Sequence, residues 1–206
     1  MKPFIVSPVL PFPNIAWWRH FSAPDAVLLL DTGEHFEKMS FRNRYMVAAA
    51  DGMLTLSIPL AEGRQQRKAM KDVLICNQDR WQIQHWRTLV SVYGRSPYFE
   101  HYSPLLEPLF HTRYERLSDF SLASIRLLQQ LTGITGTLSF TEEYRSSWPD
   151  AVMDLRGQFR TRHYDQGTFR PYYQPFGDRH GFLPNLSLLD LLFAEGPAAL
   201  AYITAP

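Results

Sequence analysis

Asp31, Glu34, Lys38, Arg42, Asn43 and Arg44 fall within one short stretch of the chain. A carboxylate at a strand end can hold a sugar hydroxyl or take its proton, and arginine clamps a phosphate or carboxylate through paired N–H groups. Plainer readings of the same residues are a turn-capping Asp, a solvated Glu and a strand edge kept soluble by charge. His85 is the candidate general base among the histidines, because an imidazole titrates near about 6.5. It follows Trp81 by one helical turn, on the core side, where a satisfied structural histidine is the alternative. The histidines show no repeated metal-ligand spacing and Cys76 is the single cysteine, so no metal site, no cofactor and no internal disulfide are expected.

Three elements must position these groups. Phe4–Leu10 reads as a strand that lies at an edge or ends near Pro8. Asn14 caps a helix to Phe21, and Ala26–Leu30 is an apolar run suited to a strand covered on both faces. Together they form a βαβ unit, which brings Pro11–Asn14 beside Asp31–Glu34 at the strand C-termini, where α/β sheets take ligands. Asn14 therefore joins the candidate binding residues. The intervening turn has no glycine, which excludes a dinucleotide or P-loop fingerprint. Asp51-Gly52 predicts a hairpin with Val47 opposite Leu56 and Tyr45 opposite Ile58, and Tyr45, Val47, Leu54 and Leu56 on its core face. Carrying the two-residue alternation backward puts Glu34, Lys38, Ser40, Arg42 and Arg44 on one face, with Met39 and Phe41 on the core side.

Residues 61–71 read as a solvated basic loop. Asp79 is expected to cap a helix to about Tyr93, and Ser96-Pro97 and Ser103-Pro104 each to start one. A longer helix containing Leu117, Ile125, Leu128 and Leu131 stops at Gly133, and residues 137–141 form a short strand. Residues 142–171 are rich in arginine and aromatics without periodicity and read as a long ordered loop. Beyond the Tyr172-Tyr173 pair, Asn185 is expected to cap a helix over 186–194. Tyr173 belongs to a Tyr- and Trp-rich C-terminal third and is the aromatic candidate for binding. The fold class is mixed α/β: one domain over residues 1–206, with a small sheet and a hairpin packed by helices from the middle and C-terminal parts.

At 206 residues and net charge +1, the chain has room for a real core and lacks the basic excess of a nucleic-acid coat protein. Its high aromatic share suits either a sugar or nucleotide cleft or an ordinary aromatic core. No apolar run approaches the about 20 residues of a membrane span, so a cytoplasmic protein is expected.

The stretches PFPNIAWW, LLLDTGEHFEKMSFRNRY, WQIQHWRTLVSVYGRSPYFEHY, TEEY and YYQPFGDRHGFLPNLSLLDLLFAEGP resemble the WbqC-like family of bacterial proteins along essentially the whole chain. The resemblance implies a cytoplasmic role in O-antigen and other cell-surface polysaccharide synthesis, with a sugar or nucleotide-sugar as small-molecule partner. Relatives often carry a second acid or a polar pair after the strand-ending Asp, where this chain has Thr32-Gly33. Two functions follow as expectations. One is an enzyme transferring an acyl or aminoacyl group to an activated sugar, with Lys38, Arg42 and Arg44 holding its charge and His85 or Asp31 accepting the proton. The other is a non-catalytic protein binding the same sugar or a partner enzyme.

Overall fold

The computed structural model describes residues 3–205 except 64, 142, 165 and 166. Strands β1 (Phe4–Pro8) and β2 (Val27–Asp31) are parallel neighbours joined by helix α1 (Ile15–Phe21), the βαβ unit expected. Asn14 caps α1 from an extended backbone, its side chain accepting the Trp17 N–H at 3.1 Å. β1 lies inside the sheet and ends at Pro8, where the missing N–H would interrupt the ladder.

The hairpin pairs β3 (Arg44–Ala49) with β4 (Gly52–Ser57), in a register two residues from the expected one. Tyr45 faces Leu56, Val47 faces Leu54 and Ala49 faces Gly52. Ala50 and Asp51 make the turn, and Gly52 follows it at φ 109°, a left-handed value that glycine adopts without strain. A slip of two preserves which side each residue takes. Leu54 is nonetheless half-exposed, because β4 is the outer strand while β3 is buried on both faces.

The alternation does not continue backward from Arg44. Met39 turns left-handed at φ 59° and projects outward at 64% exposure, and Phe41–Asn43 form a 3-10 turn capped by the Ser40 hydroxyl. The single charged face expected from strand geometry is therefore replaced by a bend that sends Arg42 inward.

Helices α2 (Trp81–Tyr93), α3 (Phe99–His111) and α4 (Leu117–Thr132) follow. Arg80, not Asp79, takes the cap position of α2, and Ser103-Pro104 starts nothing: Pro104 and Pro108 both lie inside α3. Gly133 ends α4 left-handed, as expected. Strand β5 (Thr137–Phe140) then adds beside β2, and β6 (Val152–Asp154) beside β1, giving a parallel sheet of order β5-β2-β1-β6. β6 lies within the segment that reads as loop, since three residues are too few to show a period. The C-terminal helices are α5 (Gly177–His180), α6 (Leu188–Glu195) and α7 (Ala199–Thr204). Ser187 caps α6; Asn185 instead bridges chain segments, accepting the Ala16 N–H at 2.8 Å and donating to the Tyr164 carbonyl.

Much of the aromatic surplus goes into the core. Phe12, in the turn after β1, packs on Tyr45 of the hairpin, Phe110 of α3 and Phe120 of α4 at 4.9–5.7 Å between ring centres. No helix among the described residues is long and apolar enough to cross a membrane.

Candidate functional site

Parallel strands release their chain at one edge of the sheet, and here that edge carries a cleft. A cleft of about 580 Å³ opens beyond β2, β5 and β6. Residues 34–38 wall it from β2, Tyr144 from β5, and Arg156, Gly157 and Arg160 from β6; Gln65, Gln66 and Arg67 reach it from the loop after β4. That loop is tied down where it rejoins the core: residues 68–71 run against 32–36 through Phe36 N–H to Lys68 O, Met70 N–H to Glu34 O and Lys71 N–H to Thr32 O at 2.8–3.0 Å. A second hollow of about 330 Å³ shares Gly157 and Arg160 and adds Asn14, His20 and Asn185. It lies between the ends of β1 and β6, where the chain that left β1 toward β2 comes back on the other side, the switch point at which open α/β sheets bind ligands.

Two buried arginines build the floor. Arg156 donates to Asp31 Oδ2 at 2.9 Å, to both Asp154 oxygens at 2.6–3.1 Å and to the Arg145 carbonyl at 2.6 Å. Its hydrogen bonds and charge hold the Asp154 carboxyl below the usual range. Asp31 is fully buried and receives, besides Arg156, the Gly33 and Glu34 N–H groups and the Thr141 hydroxyl, each at 3.0 Å. It is the turn-capping Asp as well as an ion-pair partner. Arg42, 1% exposed, pairs with Glu34 at 2.5 Å and Glu37 at 3.0 Å, and Arg160 reaches Glu37 from the other side at 2.8 Å.

Glu34 is the acid this frame leaves poised. Burial raises its carboxyl above the usual range, against the opposing pull of Arg42. Oε1 takes the Arg42 contact, while Oε2 is buried and has no hydrogen-bond partner among the described residues. Lys38 and Arg67 are exposed on the cleft wall, and among the described residues neither forms an ion pair. Among the described residues there is also no group of three or more His, Cys, Asp or Glu arranged to hold a metal.

The sequence matches the WbqC-like protein family over residues 10–175. The chain belongs to that family. It is similar to the uncharacterized protein Rv1507c of Mycobacterium tuberculosis, with 26% identity over 200 residues covering 82% of this chain and 83% of the relative. No solved structure matches it.

Of the residues the sequence singles out in this WbqC-like chain, Glu34 and Lys38 line the cleft, and Asp31 and Arg42 lie beneath it. Asn14 lines the adjoining hollow while capping α1. Asn43 is buried and ties the hairpin base, donating to the Ile58 carbonyl at 2.9 Å and accepting the Ile58 N–H through its backbone at 2.8 Å. Arg44 is half-buried at the start of β3. Tyr173 is exposed in a separate groove with Tyr172 and Pro175.

His85 belongs to the core rather than to this edge. Its Nδ1 lies 3.1 Å from the Tyr45 hydroxyl, the rings of Tyr45 and Trp81 flank it edge-on, and it is hydrogen-bonded to the Ser57 backbone. Burial lowers its pKa from 6.5 to about 4. The folded protein thus binds the proton less readily than the unfolded chain. This contribution to stability is complete above pH 6.5 and is lost as pH falls toward 4. The full swing is about 3 kcal/mol. Urea denaturation at pH 7 and pH 4.5 is expected to show the native protein losing more stability than His85→Gln. Equal losses in the two proteins would contradict it.

The sequence reading passes over Glu37, Tyr144, Arg156 and Arg160. The one signal pointing to the last three is the arginine and aromatic content of residues 142–171.

Proposed function

We propose that this WbqC-like chain is a cytoplasmic enzyme of cell-surface polysaccharide synthesis that transfers an acyl or aminoacyl group to an activated sugar. The observation that carries the reading is Glu34: a largely buried carboxylate with a raised pKa and one unpartnered oxygen, on the wall of the strand-end cleft. In this reading Glu34 takes the proton from a sugar amine or hydroxyl as its nitrogen or oxygen attacks the acyl carbonyl. The donor's leaving group departs with the electron pair of the broken bond. Lys38 and Arg67 hold the anionic part of the substrate. Arg42 keeps Glu34 oriented and Arg156 keeps the β2 turn in place.

Mass spectrometry of sugar precursors from cells with and without the protein tests the reading. An acyl- or aminoacyl-bearing precursor present only with the protein is the expected result, and identical precursor pools would overturn it. The engagement of His85 and Asp31 in structural contacts favours a second reading, in which the same cleft binds the sugar without transforming it.

A further inference from the structure

We infer that the hollow between the ends of β1 and β6 is a subsite for a neutral monosaccharide ring, and that it opens into the cleft over Gly157. The inference rests on the transfer reading and deepens it: the acceptor sugar sits in the hollow, and the cleft is left to the charged donor.

Gly157 and Arg160 line both spaces. Neither the backbone nor the packing calls for glycine at 157. Its φ lies outside the left-handed region, and a Cβ there would meet no atom within 4 Å beyond its chain neighbours. Gly136 is the opposite case, since a Cβ there would lie 2.4 Å from the Phe21 ring. The missing side chain at 157 thus leaves open space where cleft and hollow meet. Glycine serves this way where a ligand passes close to the backbone.

The lining of the hollow differs in kind from that of the cleft. No carboxylate lines it among the described residues, and its one arginine, Arg160, is already paired with Glu37 at 2.8 Å. A neutral ligand therefore leaves no charge uncompensated there. His20, half-buried on α1, has no hydrogen-bond partner for either ring nitrogen among the described residues. Burial lowers its pKa from 6.5, so at pH 7 one nitrogen donates and the other accepts. Asn14 spends its Oδ1 on the α1 cap and keeps its Nδ2 group free, as is the Gln158 amide. Such groups give and take hydrogen bonds as a sugar hydroxyl does. The buried Phe41 and Phe159 supply apolar wall for the C–H face of a ring. At about 330 Å³ the hollow stands at the small end of ligand pockets, which run from about 300 to 1,000 Å³.

Saturation-transfer NMR on the full chain with glucose, galactose and N-acetylglucosamine tests this. At least one of the three is expected to bind. His20→Ala should weaken that binding about tenfold, the worth of one or two hydrogen bonds, while His20→Gln, which also donates and accepts, should keep most of it. Gly157→Leu fills the shared space from a Cβ that clashes with nothing. It should fold like the native protein by circular dichroism and weaken sugar binding as His20→Ala does. Binding of none of the three sugars, or equal binding by native protein, His20→Ala and Gly157→Leu, overturns the subsite. The two readings fail separately. Sugar binding that both variants weaken, with no modified precursor in cells, removes the transfer reading alone. A precursor modified as fully with His20→Ala and Gly157→Leu as with the native protein removes the subsite alone.

Discussion

Arg156→Met is expected to lower the unfolding free energy by about 3–5 kcal/mol, the cost of leaving a buried charge without its partner. Asp31 is fully buried, and among the described residues the arginine is the one cation paired with it. Asp154 is better placed to turn to solvent, with its side chain one-third exposed. Pairing Arg156→Met with Asp31→Asn should therefore recover part of the loss, since the amide keeps an oxygen for the Gly33 and Glu34 N–H groups without a charge to bury. Guanidinium denaturation of the two variants measures this. A single variant within about 1 kcal/mol of the native protein would show that the pair contributes little beyond surface ion pairs.

For the transfer proposed above, Glu34→Gln is expected to carry the second large effect, on turnover. Loss of a positioned general base costs about 10²–10⁴-fold in rate. Glutamine keeps an oxygen for Arg42, and Arg42 keeps Glu37, so the fold should persist. The measurement is formation of the modified sugar by purified native and Glu34→Gln protein, with circular dichroism to confirm folding. Undiminished turnover would remove Glu34 as the base, and undiminished function in complementation would favour binding without catalysis.

Local signals in the sequence proved readable where one residue determines one conformation. Asn14 before an apolar turn of helix gives the α1 cap, Gly133 stops α4, and the tripartite β1-α1-β2 pattern follows from its apolar runs. The Asp-Gly turn locates the hairpin but misplaces its register, because Gly52 serves the residue after the turn rather than the turn itself. The site was legible on one side only. Asp31, Glu34 and Lys38 stand near a recognisable strand end. Arg156 meets Asp31 from 125 positions away, through a strand too short to have a period. Met39 hid the rest: its left-handed turn breaks the alternation, and nothing local distinguishes a methionine that bends the chain from one that enters the core.

The order in which the sheet is filled has a kinetic consequence. β1 and β2 leave the ribosome early, but their outer neighbours β5 and β6 arrive only with residues 137–154, after the hairpin and three helices. Parallel pairing at such sequence separation closes long loops before its contacts form, which slows folding. Until its last third is made the nascent chain has only β1 and β2 of this sheet, and the cation that pairs with Asp31 comes later still. Refolding should end in a slow step that completes the sheet and the cleft together.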